Sequence, residues 1–550
     1  MRLYRLTVVL LTGFLFSCNT AQKEKDDRSV FRYNEASGIT SLDPAYASNQ
    51  ANIWACNQLF NGLVQLDSLL VPVPCIAKSW EISDDGLQYV FHLRSDIRFH
   101  PHPAIANGRT VRATDFVFSF MRICDEKTAS PGSWIFQSLQ TSENGKITGL
   151  SAPDDSTLVI RLKHAFPPLL GLLASAYCSV VPEEVIRTTG KDFRKQPIGT
   201  GPFVFHAWEE RTALVFHRNP NYFESDSQGL RLPYLDAVMI SFISDKQSAF
   251  LAFLQGKIDF ISGLDAGYKD DLLTTNGTLR PKYRGRFKME TAPYLNTEYL
   301  GFLADSSIES MKGSPLNDLR IRQAINYGFD RNEMIRYLRN GMATPGVHGM
   351  LPPGLPGYDC NKVKGYAYDP ELASKLLTEA GYPGGRGLPE ITMSTTNSYQ
   401  DLCEYIQGQL ARLGIRIRLE VNQAGQHRQM VAKQQLQFFR GSWIADYADG
   451  ENYLVLFKSG NKAPAGPNYT HFNDSEFDRL YDESMKQPHL TERVGLYAKM
   501  DSIVMSKSPV VVLYYDKILR LTQKSISGLQ INPMNLLTLK TVSKSTDQAN

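Results

Sequence analysis

EITMSTTNSYQDLCEYIQGQLARLGIRIRLEV, residues 390–421, decides the fold class. Glu390 to Thr395 reads as a strand. Leu402, Ile406, Leu410 and Leu413 then recur at helical spacing until Gly414, and Ile415, Ile417, Leu419 and Val421 alternate with Arg416, Arg418 and Glu420. Strand, helix and strand on short connections form a βαβ unit, which implies a parallel pair in a sheet covered by helices. Just upstream, Asp369 is a natural N-cap and Pro370 suits the first helical position. Leu372, Leu376 and Leu377 share a face, and Gly381 ends the helix.

Working outward, the same alternation of strand and helix recurs. Tyr89 to Leu93 alternates as a strand, and Asp84-Asp85-Gly86 before it reads as a hairpin turn. Thr114 is the expected cap of a helix with Phe116, Val117, Phe120 and Met121 on its apolar face. Val238, Ile240 and Phe242 mark a strand, Ser248 to Gln255 a helix stopped by Gly256, and Ile258 to Ile261 a further strand. The class is mixed α/β. A chain of 550 residues would hold two to four domains by length, yet no linker, repeat or low-complexity segment divides it.

The N-terminus speaks to location. Arg2 and Arg5 precede an apolar run from Leu6 to Phe16, too short to span a bilayer as a helix, and Leu15-Phe16-Ser17-Cys18 closes it. That order resembles a bacterial lipobox, which implies a signal peptide at 1–17, lipid on Cys18 and a membrane-tethered mature protein. Residues 18–30, polar and nearly free of apolar side chains, are the expected spacer. Without the leader, 59 basic residues become 57 against 56 acidic ones, a net of +1, which points away from nucleic acid. Six cysteines follow Cys18, none in a C-x-x-C pair, so structural zinc is not indicated and their pairing is open.

Enzyme signatures are sparse. The chain has no G-x-S-x-G, no H-E-x-x-H and no phosphate-loop lysine. Gly199-Thr200-Gly201-Pro202 reads as a tight turn into Phe203 to Phe205, and His100 and His102, spaced by prolines, read as residues of a solvated loop rather than metal ligands. RGSWIADYAD, residues 440–449, differs: a strand through Gln437, Phe438 and Phe439 leads into Trp443, Asp446 and Tyr447. Strand ends are where open α/β sheets bind ligands, although composition alone favours core packing of the aromatics and a capping role for Asp446.

At Pro74 to Met121, AKSWEISDDGLQYVFHLRSDIRFH and NGRTVRATDFVFSFMR resemble the signature block of extracellular solute-binding proteins of family 5, the peptide/nickel transporter type. Ser41-Leu42-Asp43-Pro44, Ile198 to Phe203, Arg218 to Tyr222, Gly256 to Asp259 and LRIRQAINYGFDR (319–331) extend the resemblance from about Phe31 to Leu537. It implies a three-lobed, periplasmic-binding-protein-like hinged trap of type II, cluster C. Lobe I would comprise 31–60, 196–292 and 516–550, lobe II 61–195 and lobe III 293–515, and a discontinuous lobe I would explain the missing linkers.

In peptide-binding members, the aspartate of a W-x-A-D-Y segment holds the ligand's amino terminus and an arginine six residues earlier can face its carboxylate. Those positions here are Asp446 and Arg440, with Trp443 and Tyr447 beside them. The resemblance therefore implies a lipid-anchored, monomeric, non-enzymatic component of an ABC importer, facing the periplasm or exterior. It would pass short peptides to a permease without a cofactor, metal or nucleic acid. A receptor for nickel, haem or an oligosaccharide is the alternative within the family, and a secreted hydrolase the alternative outside it. One departure is local: Pro101 to Ala106 replaces the family's short Asp-Gly turn.

Overall fold

Strand Val510–Thr522 is buried along almost its whole length, as a strand covered on both faces must be. In the computed structural model, which describes residues 29–106 and 108–545, it lies at the middle of an eleven-stranded mixed sheet. On one side of it come Lys288–Phe302, Phe438–Ile444, Ile391–Thr396 and Ile417–Asn422. On the other come Phe260–Ser262, Val30–Asn34, Ala237–Ser241, Ala213–Arg218 and Phe203–Glu209, and Ala343–Pro345 adds a further pairing. A separate four-stranded antiparallel sheet is built from Ala77–Ile82, Gln88–Leu93, Thr157–Arg161 and Leu150–Asp154. The 1–17 leader, Cys18 and most of the spacer lie outside the described residues. Among the described residues no helix is long and apolar enough to cross a membrane.

The βαβ unit forms as its periods require: Ile391–Thr396 pairs in parallel with Ile417–Asn422, Ile391 opposite Ile417, around helix Gln400–Ala411. Asp369 caps helix Pro370–Glu379 by accepting from the Leu372 amide at 2.9 Å. The Asp84–Gly86 turn joins two antiparallel strands, and Gly86 supplies the positive φ of 67° that a side chain disfavours.

Three local expectations need correcting. Helix Ala113–Cys124 is capped at Arg112, not Thr114, because the Asp115 carboxylate takes the Arg112 amide at 2.8 Å and is itself gripped by Arg109. Val117 and Met121 are only half-buried, and the helix buries Phe116, Ser119, Phe120 and Ile123 instead. His100 is buried rather than solvated: its Nε2 lies 3.0 Å from the Gly201 carbonyl, and burial holds its pKa down at about 4. The turn at Gly199 and Gly201 follows from contact, since a Cβ at either would fall 2.1 Å from Leu59 O or 2.4 Å from Leu59 C.

Period-two geometry builds two cores on one pair of strands. Tyr299, Val510, Val512 and Tyr515 face a cluster closed by helix Leu490–Lys507, whereas Leu300, Val511 and Leu513 face the opposite cluster with helices Leu319–Tyr327 and Gln400–Ala411. A third core joins Phe31 and Val238 of the large sheet to Phe91 and Phe116 of the four-stranded lobe. The two halves of the large sheet are joined by Lys288–Phe302 and Val510–Thr522, paired along their length, with register shifts between Pro293 and Thr297 and between Glu298 and Tyr299. Continuous strands, not a loop, form the passage, and bulges of this kind bend a strand.

Candidate functional site

Strand Phe438–Ile444 delivers the 443–449 segment to a junction of lobes, and the turn after it is fixed by one side chain. Asn452 Oδ1 accepts from the Trp443 indole at 3.0 Å and from the Asp446 amide at 3.2 Å. Asn452 is itself buried, so the backbone before Asp446 cannot relax without leaving an amide unpaired. Asp446 then projects into a cavity of about 380 Å³, within the range of small-ligand sites.

The walls come from every part of the fold. Ser48 to Gln50, Ile53 and Trp54 belong to the start of the N-terminal helix Gln50–Leu59, and Trp134 and Tyr177 to the four-stranded lobe. Tyr294 and Ile444 to Tyr447 come from the large sheet and its turn, Met534 and Leu536 from the C-terminal segment. Among the described residues of this lining, Asp446 is the one charged side chain. It forms no ion pair among the described residues. Burial raises its carboxyl above the ordinary range, although the side chain is open to the cavity. The same surroundings push the Tyr177 phenol to about 12, through burial first and the Asp446 charge second. A chamber with several aromatic rings and one carboxylate without a counter-charge favours a cation that carries apolar surface.

Tyr447 turns the other way. It is buried against the core of the four-stranded lobe, its ring 6.1 Å from Trp134 and 6.4 Å from Phe166. Its hydroxyl donates to Glu451, whose other oxygen accepts from Tyr481. Glu451 is buried without a cation in contact, and desolvation pushes its carboxyl up to about 7. Next to it, Asp449 is paired with Arg493 at 2.7 Å and with the Tyr497 hydroxyl at 2.6 Å.

Of the four residues expected from sequence, the structure brings Asp446 and Tyr447 to this cavity and does not bring Arg440 or Trp443. Arg440 is ion-paired with the buried Glu298, its guanidinium carbon 3.3 Å above the Tyr399 ring. Asn296 bridges Glu298 and Asp516, and Arg339 closes the group at 3.1 Å from Asp516. In this structure the Arg440 charge therefore faces Glu298 and not the Asp446 chamber. Trp443 packs partly into the core behind the turn. The sequence did not single out Tyr294, Tyr177, Trp54 or Trp134 as wall residues. They sit far apart in the chain, and no local spacing joins them.

The comparisons with known proteins agree with this architecture. Residues 71–465 match the model for bacterial extracellular solute-binding proteins, family 5. Heme-binding protein A of Haemophilus influenzae is 28% identical, over 92% of this chain and 92% of that protein. A probable di/tripeptide-binding protein 5 of Pseudomonas aeruginosa is 27% identical, over 86% of this chain and 88% of its own length. Among solved structures, HbpA2 from Haemophilus parasuis superposes with a TM-score of 0.81 at 22% identity, covering 94% of this chain and all of that one.

Proposed function

This chain belongs to the bacterial extracellular solute-binding proteins of family 5, and from that premise we propose that it captures short peptides between its lobes and passes them to an ABC permease. One observation carries the reading: Asp446 is a carboxylate without a counter-charge in a chamber whose described lining is otherwise uncharged and includes several aromatic rings. A peptide's ammonium supplies the missing charge, and its main chain offers donors and acceptors common to every sequence. Because the walls come from several lobes, the site is complete only when they meet, so binding energy is available to draw them together. The moving bodies are 31–60, 196–292 and 516–550, then 61–195, then 293–515. An adjoining cavity of about 280 Å³ shares Asn57, Leu66 and Leu536 with the chamber and carries Lys540, held by Glu224 and Gln65, which gives the ligand's far end a polar surface.

Calorimetry with trialanine and N-acetyl-trialanine tests this: the free amine binds at least tenfold tighter and is recovered intact, as from a binder and not a hydrolase. Equal affinity, or no heat with either, refutes it. The haem reading is favoured by the relative from Haemophilus influenzae. A haem's propionates would meet a carboxylate here and, among the described lining, no cation. Haemin titration followed in the Soret band decides between them; a shift that trialanine fails to reverse would favour haem. The location follows from the leader: lipid on Cys18, ahead of the 18–30 spacer, tethers the body to the envelope. Cys18→Ser is expected to move the protein from the membrane fraction to the soluble one, and an unchanged membrane fraction would refute the tether.

A further inference from the structure

On the far side of Tyr447 from Asp446 lies a second hollow, an apolar groove of about 180 Å³. Leu70, Val71, Ile82, Pro168 and Leu170 line it from the four-stranded side and Met485 from the large-sheet side, with Lys486 and the Asp449–Arg493 pair at its border. Two residues border both this groove and the Asp446 chamber, Tyr447 and Gly171. Gly171 adds no side chain, and a Cβ there would meet nothing within 4 Å. The Tyr447 ring is therefore the partition between the two spaces.

The ring is held on three sides. Trp134 and Phe166 pack on it from across the lobe boundary, and its hydroxyl is tied to Glu451, which Tyr481 anchors in turn. Side chains fixed at both the ring and the tip do not swing aside to admit a bulky group. Asp446 and Tyr447 are consecutive, about 3.8 Å apart at Cα. Both residues border the chamber, so a group attached to an ammonium seated on Asp446 shares that space with the Tyr447 ring.

We propose that Tyr447 is the specificity wall of the site. It requires the ligand chain to end at Asp446, and the groove behind it is a closed-off apolar subsite that would accept an alkyl extension of the amine if the wall were removed. This rests on the peptide reading above and adds to it a steric reason for reading a chain end, separate from charge. Exclusion by charge alone would admit any amine that keeps its proton, whereas exclusion by the wall rejects a tail even when the charge is kept.

The probes are trialanine and N-hexyl-trialanine, both cationic at neutral pH, titrated calorimetrically into the full-length protein. The wild type is expected to bind the hexyl compound at least 20-fold more weakly than trialanine. In Tyr447→Ala that ratio falls to threefold or less, the tail now lying in the groove. Tyr447→Leu, which keeps apolar contact with Trp134 and Phe166, gives the same direction should the alanine variant not close. Tyr447→Phe keeps the ring and retains most of the discrimination. Trp134→Ala removes one of the two rings that hold Tyr447 and is expected to lower the ratio partway, between wild type and Tyr447→Ala. An unchanged ratio in both Tyr447→Ala and Tyr447→Leu, or a wild type that takes both probes equally, overturns the wall. Failure of trialanine to bind the wild type overturns the peptide reading and the wall with it.

Discussion

Arg440 and Asp446 stand six residues apart on one strand and the turn that follows it, and their charges meet opposite fates. Arg440 is neutralised by Glu298 beneath Tyr399, inside the sheet, whereas Asp446 has an open chamber before it and no counter-charge among the described residues. The difference teaches how a binding protein separates stability from recognition. A buried charge whose partner is built in is tied to the fold, while one left without a counter-charge and open to a cavity is available to a cationic ligand.

The sharpest way to break this contrast is to remove Glu298. Glu298→Ala leaves Arg440 buried and uncompensated, and is expected to lower the unfolding free energy by about 3–5 kcal/mol in denaturant melts. If stability held and trialanine affinity changed instead, Arg440 would belong to the ligand. Asp446→Asn should do the converse. Trialanine binding weakens by about 10- to 100-fold in calorimetry, a cost moderated by the side chain's openness to the cavity, while unfolding shifts by no more than about 0.5 kcal/mol.

Glu451 sharpens the contrast, being buried like Glu298 yet without a cation in contact. Its carboxyl is raised to about 7, so between the unfolded value of about 4.5 and that point the folded chain holds a proton the unfolded chain has released. Its favourable contribution is full below pH 4.5 and is lost as pH rises through 7. Wild-type stability should therefore fall relative to Glu451→Gln by about 2–3 kcal/mol between pH 5 and 8. A difference independent of pH would mean that Glu451 is ionised throughout.

How far these regions could be read in advance depends on the range of the interactions that make them. The βαβ unit at 391–422 rests on period and on caps such as Asp369, all local, and its pairing register followed. Strand Lys288–Phe302, by contrast, contains Pro293, Asn296 and Glu298 in a run with no clean alternation, because it serves two cores and a polar cluster at once. Arg440 is ion-paired with a partner 142 residues away, which no spacing near Arg440 announces. Asp446 is singled out by the resemblance of its W-x-A-D-Y setting to the family's, but the Trp134 and Phe166 side chains that clamp Tyr447 come from a different lobe, and only the fold brings them together.

The position of strand Val510–Thr522 bears on the order in which the molecule can be made. It is the central strand, bonded to Lys288–Phe302 on one edge and to Phe260–Ser262 on the other, yet it is among the last segments to be synthesised. Until it arrives, the two halves of the large sheet have no common partner, and contacts of such sequence separation are slow to form. The 61–195 stretch, with its own four-stranded sheet, can fold early. Local units such as 391–422 need not wait for that central strand, but the two halves of the large sheet can be joined only once residue 522 is present.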